Sequence, residues 1–229
     1  MSAIRAVLFD LDGTLLDSAP DLVASLNHVR SCEQLPPLPL GEISKFASRG
    51  AVGLLRAGMP PANEQELETR RQRFLEHYAA NSYRNSSLYD GIPEVLAFLA
   101  DAGIPWGIVT NKIESLTLPI LEAAKLSAAV SCVVCGDTLR ESKPHPAPVS
   151  HACGLVAVAP ANALLVGDDI RDLQAGRAAG TQTAAAYYGY GAHEFDDVQV
   201  DGSFRIRRPE ELIQIVLHSN GERGAATKQ

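Results

Sequence analysis

Two aspartates stand one residue apart, directly after the first apolar run of the chain. Residues 7–17 read VLFDLDGTLLD, so Asp10 and Asp12 follow the apolar run that ends at Phe9. In an extended chain the side chains of residues i and i+2 point to the same side. Like charges held that close repel each other, and we therefore expect a positive group between these two carboxylates.

Three later segments carry polar side chains of related kinds at the ends of apolar runs. They are Thr110-Asn111-Lys112, Ser142-Lys143-Pro144, and Gly167-Asp168-Asp169 with Asp172 nearby. Carboxylate oxygens suit Mg²⁺, which commonly binds one or two carboxylates together with a phosphate. A threonine hydroxyl, backbone N–H groups and a lysine suit the remaining oxygens of a phosphate. The four segments together predict a site for magnesium and a phosphate.

An alternation of strands and helices would carry these segments to one edge of a sheet. We predict strands over residues 5–9, 104–109, 130–135, 163–166 and 182–187, with 204–206 as a last edge strand. We predict helices over residues 91–102, 114–124, 146–153, 170–179 and 209–217. Such an alternation is typical of an α/β, Rossmann-like parallel sheet covered on both faces. Ligands of open parallel sheets bind at the carboxyl ends of the strands, where the polar segments stand.

A long block of helical pattern separates the first strand from the others. Residues 17–85 read as helix, interrupted by PPLPL at 36–40, and a crossover connection needs far fewer residues. We therefore predict an α/β core of residues 1–16 and 86–229, with an inserted small all-helical cap domain of residues 17–85. The end of the chain, residues 219–229, is expected to be disordered.

Local patterns within the cap lead to three further expectations. Ser18-x-x-Asp21 predicts a capping box at the start of the first cap helix. The SRG sequence at 48–50 predicts a loop between two short helices. The arginines within 70–73 stand among acidic residues on a long polar helix predicted over 63–83, and we interpret them as a solvated face.

Composition limits the classes of partner. The chain has 229 residues, a formal net charge of −7 and an apolar fraction of 46%. Nucleic acid and anionic membranes both favour clustered Lys and Arg, so neither is expected as the main partner. No apolar run approaches the roughly 20 residues of a membrane span, and MSAIRAVLFD lacks the layout of a signal peptide. We expect a cytoplasmic monomer or homodimer whose four cysteines are reduced thiols.

The four polar segments resemble the motif set of the haloacid dehalogenase superfamily. The matching residues are DLDGT at 10–14, Thr110 after the second core strand, Lys143 before the fourth, and GDDIRD at 167–172. They occur in the order of that family, and the resemblance covers essentially the whole α/β core. It implies a Mg²⁺-dependent hydrolase that acts on phosphoric monoesters through an aspartyl-phosphate intermediate.

The resemblance also implies roles for the matching residues. Asp10 would be the nucleophile that attacks phosphorus. Asp12 would protonate the leaving oxygen and later accept a proton from water. Thr110 and Lys143 would hold the transferring group and offset its charge. Mg²⁺ would be bound by the carboxylates of Asp10 and Asp168 and by the backbone carbonyl of Asp12.

Other residues receive supporting roles on the same ground. Asp169 and Asp172 would orient water ligands of the metal or the motif lysine. Gly13 lets the chain turn after the first motif. Gly13, Thr14 and Asn111 are assigned to substrate binding.

The cap resembles the small helical type of phosphoglycolate phosphatases, phosphoglucomutases, phosphonatases and dehalogenases. Asp12 argues against a dehalogenase, in which no leaving alcohol needs a proton. Lys45 is the single lysine of the cap and the DLDGT form is not that of phosphonatases, which argues against that group. A phosphosugar mutase stays open. A catalytically inert phosphometabolite-binding protein is a remote alternative, because the nucleophile and the motif lysine are both present.

Two groups of phosphatases share further segments with this chain. DLDGTLLDSAPDL, VTNK, SKPHP and VGDDIRDLQAGRAAG resemble bacterial phosphoglycolate phosphatases. GYG at 189–191 fits the N-acetylmuramic acid 6-phosphate phosphatases of peptidoglycan recycling at least as well. The expected substrate is thus a small phosphorylated metabolite that carries a carboxylate. Arg49 could pair with this carboxylate, or it could be an exposed loop arginine without a ligand.

Overall fold

A six-stranded parallel sheet forms the centre of the molecule and confirms the predicted α/β class. The computed structural model describes residues 2–221 of the chain. The strands are β1 (Ala6–Phe9), β2 (Leu16–Asp17), β3 (Ser87–Leu88), β4 (Trp106–Val109), β5 (Cys132–Val134), β6 (Ala163–Gly167), β7 (Gln182–Ala186) and β8 (Phe204–Ile206). The sheet has the order β5-β4-β1-β6-β7-β8, and all neighbouring strands in it are parallel.

Helices cover both faces of this sheet. The α-helices are α1 (Ala19–Cys32), α2 (Leu40–Ile43), α3 (Gly50–Gly58), α4 (Glu64–Asn81), α5 (Ile92–Asp101), α6 (Glu114–Ala123), α7 (Ala147–Leu155), α8 (Ile170–Ala179) and α9 (Glu211–Gly221). Val7 and Phe9 of β1 enter one buried apolar cluster, whereas Ala6 and Leu8 enter another. Alternate residues of a strand point to opposite faces, so β1 lies in the core with apolar packing on both sides.

Helices α1 to α4 form the helical segment, defined here as residues 19–81. Within it, α1 packs against both α3 and α4. Strands β2 and β3 pair antiparallel, so the chain leaves and re-enters the α/β core at adjacent points. These two strands were not predicted, because two residues are too few to produce a pattern. The division at residues 17 and 85 into core and cap stays a prediction.

Two local expectations within the helical segment are wrong. Residues 48–50 are not a loop, since a 3₁₀ helix (Ser44–Arg49) passes directly into α3 at Gly50, whose φ is 65°. The arginines within 70–73 are not uniformly solvated. Arg70 is buried, and its guanidinium donates to both carboxylate oxygens of Glu33 at 2.8 Å.

The expected capping box at the start of α1 is also wrong. Ser18 occupies the N-cap position, but its hydroxyl makes no capping bond and instead donates to Asp12 at 2.6 Å. Asp21 accepts hydrogen bonds from residues 84–86, where the chain leaves the helical segment. Both side chains form contacts between segments distant in the sequence, and a local pattern cannot predict such contacts.

The end of the chain differs in part from expectation. Residues 219–221 belong to α9, and Ser219 is buried, so the first part of the predicted disordered tail is wrong. Residues 222–229 lie outside the described residues. Within residues 2–221, no helix combines the length and the apolar character that crossing a membrane requires.

Candidate active site

Lys143 links two acidic side chains at the carboxyl ends of the central strands. Its ammonium lies 2.8 Å from Asp10 Oδ1 and 2.6 Å from Asp172 Oδ1, and it donates to the carbonyl of Val109 at 2.6 Å. Burial alone would lower the pKa of Lys143, but the two carboxylates outweigh it and raise that pKa above its usual range. The backbone N–H of Leu11 donates to Asp10 Oδ1 at 2.7 Å. Asp10 is thus oriented by a fixed positive charge.

Asp169 and Asp172 stand at the start of α8, where they form a reciprocal capping box. This places Asp172 against Lys143, and its role in orienting the motif lysine stays a prediction. Asp169 instead pairs with Arg171, whose Nε and Nη2 lie 2.8 Å from its two oxygens. Burial alone would raise the pKa of Asp169, but the bonds and charge of Arg171 bring it below its usual value. Burial raises the pKa of Asp172 despite its ammonium partner.

Asp168 is a completely buried acid. Its oxygens accept hydrogen bonds from the Thr14 hydroxyl at 3.2 Å and from the Gly191 N–H at 2.8 Å. No basic side chain within residues 2–221 forms an ion pair with it. Burial, followed by the charges of Asp10 and Asp172, raises its pKa well above the usual range. A nearby cation would stabilise the charged form of such a buried acid.

The donor set around Asp168 fits a divalent metal ion. Asp10, Asp168 and Asp172 each offer one oxygen, and these oxygens lie within 4.8 Å of one another. Lys143 is the ammonium that contacts two of the three acids, so the group as a whole keeps an excess of negative charge. Oxygen ligands of this kind suit Mg²⁺. The cluster contains Asp172, which the sequence did not assign as a ligand.

Gly13 and Thr14 both lie next to Asp168. Neither is among the residues that line the cavity between the sheet and the helical segment. Gly13 has a φ of 84°, and a Cβ there would come 2.1 Å from Asp168 Oδ2. A Cβ on Gly189 would come 2.3 Å from the Cβ of Asp168, and a Cβ on Gly191 would come 2.8 Å from its carbonyl oxygen. These glycines allow the backbone to enclose the acid, and the GYG sequence was the signal for the second pair.

Thr110 and Asn111 follow β4. Thr110 is buried, and its hydroxyl accepts a bond from the Lys112 N–H at 3.1 Å. The amide of Asn111 both donates to the carbonyl of Lys143 at 2.9 Å and accepts from its N–H at 3.0 Å. Asn111 lines the cavity, yet its side chain is used to hold the backbone of Lys143. A contact between Asn111 and substrate stays a prediction.

Lys112 lies in one of the four polar segments, but the sequence reasoning gave it no role of its own. Its ammonium lies 2.6 Å from Asp12 Oδ1 and 2.9 Å from the hydroxyl of Tyr78, which belongs to α4. Burial alone would lower the pKa of Lys112, but the charge of Asp12 outweighs it and raises that pKa. The available signal was the third consecutive polar residue after β4, in VTNK.

These strand ends open into a cavity of about 320 Å³ between the sheet and the helical segment. Its lining combines the acids and lysines described above with apolar side chains, among them Leu22, Val52, Phe74, Leu75 and Leu116. A cavity lined in this way suits a ligand that carries both charged groups and a less polar body.

Two arginines of the helical segment also line the cavity. Arg49 is bound to Glu194, with Nη2 2.6 Å from Oε1, and its side chain is 55% exposed. Arg71 makes an exposed contact of 2.9 Å with Glu68, one turn earlier in the same helix. Exposed ion pairs of this kind contribute little, so either guanidinium can exchange its partner for an anionic ligand. Arg49 as the carboxylate partner stays a prediction, and Arg71 is a second candidate.

The sequence comparison agrees with the fold. Residues 7–186 match the family model of the haloacid dehalogenase-like hydrolases, and the chain belongs to this family. The matched range includes β1 from Val7 onward, the helical segment and every strand end that contributes to the cavity.

Three relatives illustrate the similarity. The chain is 38% identical to an N-acetylmuramic acid 6-phosphate phosphatase of Pseudomonas aeruginosa, covering 93% of this chain and 95% of the relative. It is also 38% identical to a phosphoglycolate phosphatase of Xylella fastidiosa, covering 91% of each. A crystal structure described as a predicted phosphoglycolate phosphatase from Haemophilus somnus superposes with a TM-score of 0.81 at 29% identity, covering 94% of this chain and 99% of that one.

Proposed function

We propose that this protein is a Mg²⁺-dependent phosphomonoesterase in which Asp10 is the nucleophile. The observation that carries the proposal is the arrangement around Asp10. The ammonium of Lys143 lies 2.8 Å from its carboxylate, and carboxylate oxygens of Asp10, Asp168 and Asp172 lie within 4.8 Å of one another. A carboxylate oriented by an ammonium can attack an electrophilic phosphorus atom. The phosphatase relatives over more than nine-tenths of the chain support the same reaction class.

A bound magnesium ion would be held by the carboxylates of Asp10 and Asp168 and by the backbone carbonyl of Asp12, with Asp172 close by. When bound, it supplies positive charge to the phosphoryl oxygens and to the buried acids. The burial of Asp168, together with the neighbouring charges of Asp10 and Asp172, raises its pKa, and a bound cation would offset both effects.

The chemical steps belong to side chains of this chain. Asp10 forms a bond to phosphorus while the bond to the leaving oxygen breaks, and Asp12 gives a proton to that oxygen. In the second half, water loses a proton to Asp12 and its oxygen bonds to phosphorus, which frees Asp10. Lys143 and Thr110 hold the phosphoryl oxygens and offset the charge that develops there.

The substrate proposed is a small phosphorylated metabolite with a carboxylate. Both 2-phosphoglycolate and N-acetylmuramic acid 6-phosphate have this character, and the relatives named above are divided between them. A cavity of about 320 Å³ falls in the range of sites for drug-sized ligands. A two-carbon acid would fill only part of it, so the volume of the cavity favours the larger sugar acid.

The test is a screen for phosphate release in the presence of Mg²⁺. The substrates are 2-phosphoglycolate, N-acetylmuramic acid 6-phosphate and sugar phosphates without a carboxylate. We expect phosphate release from a carboxylated substrate, and a loss of at least about a thousandfold in Asp10→Asn. Asp90→Asn, a change at an exposed aspartate, is the matched control. Equal activity of Asp10→Asn and wild type would refute the proposal, and an isomerised phosphosugar as product would indicate a mutase.

A further inference from the structure

The carboxylate of Asp12 is held asymmetrically. Its Oδ1 accepts two short hydrogen bonds, one from the Lys112 ammonium at 2.6 Å and one from the Ser18 hydroxyl at 2.6 Å. Within residues 2–221, its Oδ2 accepts no hydrogen bond. Since Asp12 lines the cavity, one oxygen is fixed to the protein while the other is available to a ligand.

Lys112 is itself fixed from a second direction. Its side chain is only 7% exposed, and its ammonium donates to the hydroxyl of Tyr78 at 2.9 Å. Tyr78 belongs to α4 and is buried, so this bond joins the helical segment to the α/β core. The Lys112 ammonium also lies 4.8 Å from the centre of the Tyr78 ring. An ammonium held at this depth by two partners has little freedom to move.

We propose that Lys112 is a positioning residue that fixes Asp12 Oδ1, so that Oδ2 is the oxygen that exchanges protons with the leaving group and with water. Tyr78 makes this arrangement depend on the docking of the helical segment. The inference rests on the proposed function, because it assigns the proton-carrying oxygen of the acid in that reaction.

The arrangement is compatible with both protonation states of Asp12. A protonated carboxyl group has one O–H donor and keeps acceptor capacity on its other oxygen. With the proton on Oδ2, Oδ1 still accepts from Lys112 and Ser18. In the first half-reaction the Oδ2–H proton passes to the leaving oxygen as its bond to phosphorus breaks. In the second half a proton of the attacking water returns to Oδ2, and Lys112 keeps its charge throughout.

A leaving-group comparison separates this role from others. A general acid matters for an alkoxide leaving group and matters little for p-nitrophenolate, which departs readily without a proton. A lysine that only bound the phosphoryl group, or only stabilised the fold, would affect both kinds of substrate equally. The value of kcat/KM is the quantity to compare, because it covers only the steps up to loss of the leaving group.

The experiment compares Lys112→Met with wild type on p-nitrophenyl phosphate and on whichever of 2-phosphoglycolate or N-acetylmuramic acid 6-phosphate the wild type hydrolyses. We expect kcat/KM to fall about thirtyfold or more for the alkyl phosphate and less than about threefold for p-nitrophenyl phosphate. Lys125→Met, at an exposed lysine, is the control and should change neither value. Equal losses on both substrates, or no loss, would overturn the role of Lys112 while the proposed function stands.

A second variant keeps the inference testable if Lys112→Met does not fold. Tyr78→Phe removes one partner of the ammonium and preserves the buried ring. We expect a loss of about three- to tenfold in kcat/KM for the alkyl phosphate and no loss for p-nitrophenyl phosphate. Unchanged kcat/KM for both substrates in Tyr78→Phe would overturn the coupling to the helical segment. A wild-type protein that hydrolyses neither substrate would overturn the proposed function, and this inference with it.

Discussion

Asp21, in the first helix of the helical segment, binds residues 84–86, which follow the last helix of that segment. Replacement of Asp21 should therefore destabilise the protein. The side chain is 2% exposed. Five donor groups point to its carboxylate, namely the N–H groups of Arg84, Asn85 and Ser86, the amide of Asn85 and the hydroxyl of Ser86. Asp21→Asn removes the charge and directs an N–H₂ group at some of these donors.

The expected loss follows from these bonds. Hydrogen bonds to a charged group contribute about 1.5–3 kcal/mol each, but asparagine can still accept some of them and water can reach residues 84–86. We therefore expect a loss of about 3 kcal/mol in the free energy of unfolding. For a protein of this size, that corresponds to a fall in Tm of roughly 6 to 12 °C.

The pH dependence has a defined sign. Burial alone would raise the pKa of Asp21, but its donors outweigh burial and bring that pKa below its usual value. A carboxyl whose pKa is lower in the folded state stabilises above its unfolded pKa of about 3.9, and this contribution disappears as the pH falls through the folded pKa. The difference in the free energy of unfolding between wild type and Asp21→Asn should thus be constant above about pH 5 and become smaller in acid.

The assay is thermal unfolding monitored by circular dichroism at several pH values. Asp101→Asn, at an exposed position at the end of α5, is the matched control and should change Tm by less than about 1 °C. A Tm of Asp21→Asn within about 2 °C of wild type at pH 7 would refute the reasoning. So would a gap that widens as the pH is lowered.

Three further predictions concern the cation, the substrate and the thiols. Gly13→Ala places a Cβ against the buried carboxylate of Asp168, and titration with Mg²⁺ should show an affinity at least about tenfold weaker than that of wild type. Arg71→Met should raise KM about tenfold for a carboxylated substrate only, whereas Arg73→Met should not; equal KM values would remove Arg71 from substrate recognition. Cys32 is exposed while burial raises the pKa of the other three thiols, so a thiol reagent should modify one cysteine rapidly in the native protein.

Much of the fold was predictable because its elements follow strong local patterns. The run that ends at Phe9 and the run over 163–166 are apolar throughout, as strands buried on both faces are. Glycines at 103 and 180 mark the ends of helices α5 and α8. The order of the polar segments then places Asp10, Thr110 and Asp168 at one edge of the sheet.

The parts that the sequence did not predict depend on contacts between distant residues. The pattern Ser18-x-x-Asp21 matches a capping box, but each side chain has a stronger partner elsewhere. The sequence pattern groups Arg70 with the solvated arginines, because its partner Glu33 lies directly after the end of another helix, far away in the sequence. The ammonium of Lys112 contacts the hydroxyl of Tyr78, which lies 34 residues earlier in the sequence. No local pattern carries that information.

The most direct test of the account is to capture the phosphoryl group on Asp10. The enzyme would be mixed with Mg²⁺ and substrate, quenched in acid during turnover, digested and examined by mass spectrometry. The account predicts a phosphoryl group on the peptide that contains Asp10, and its absence in Asp10→Asn, which should also release phosphate at least about a thousandfold more slowly. Phosphate release by Asp10→Asn at the wild-type rate, with no phosphorylated Asp10 in the wild type, would contradict the account.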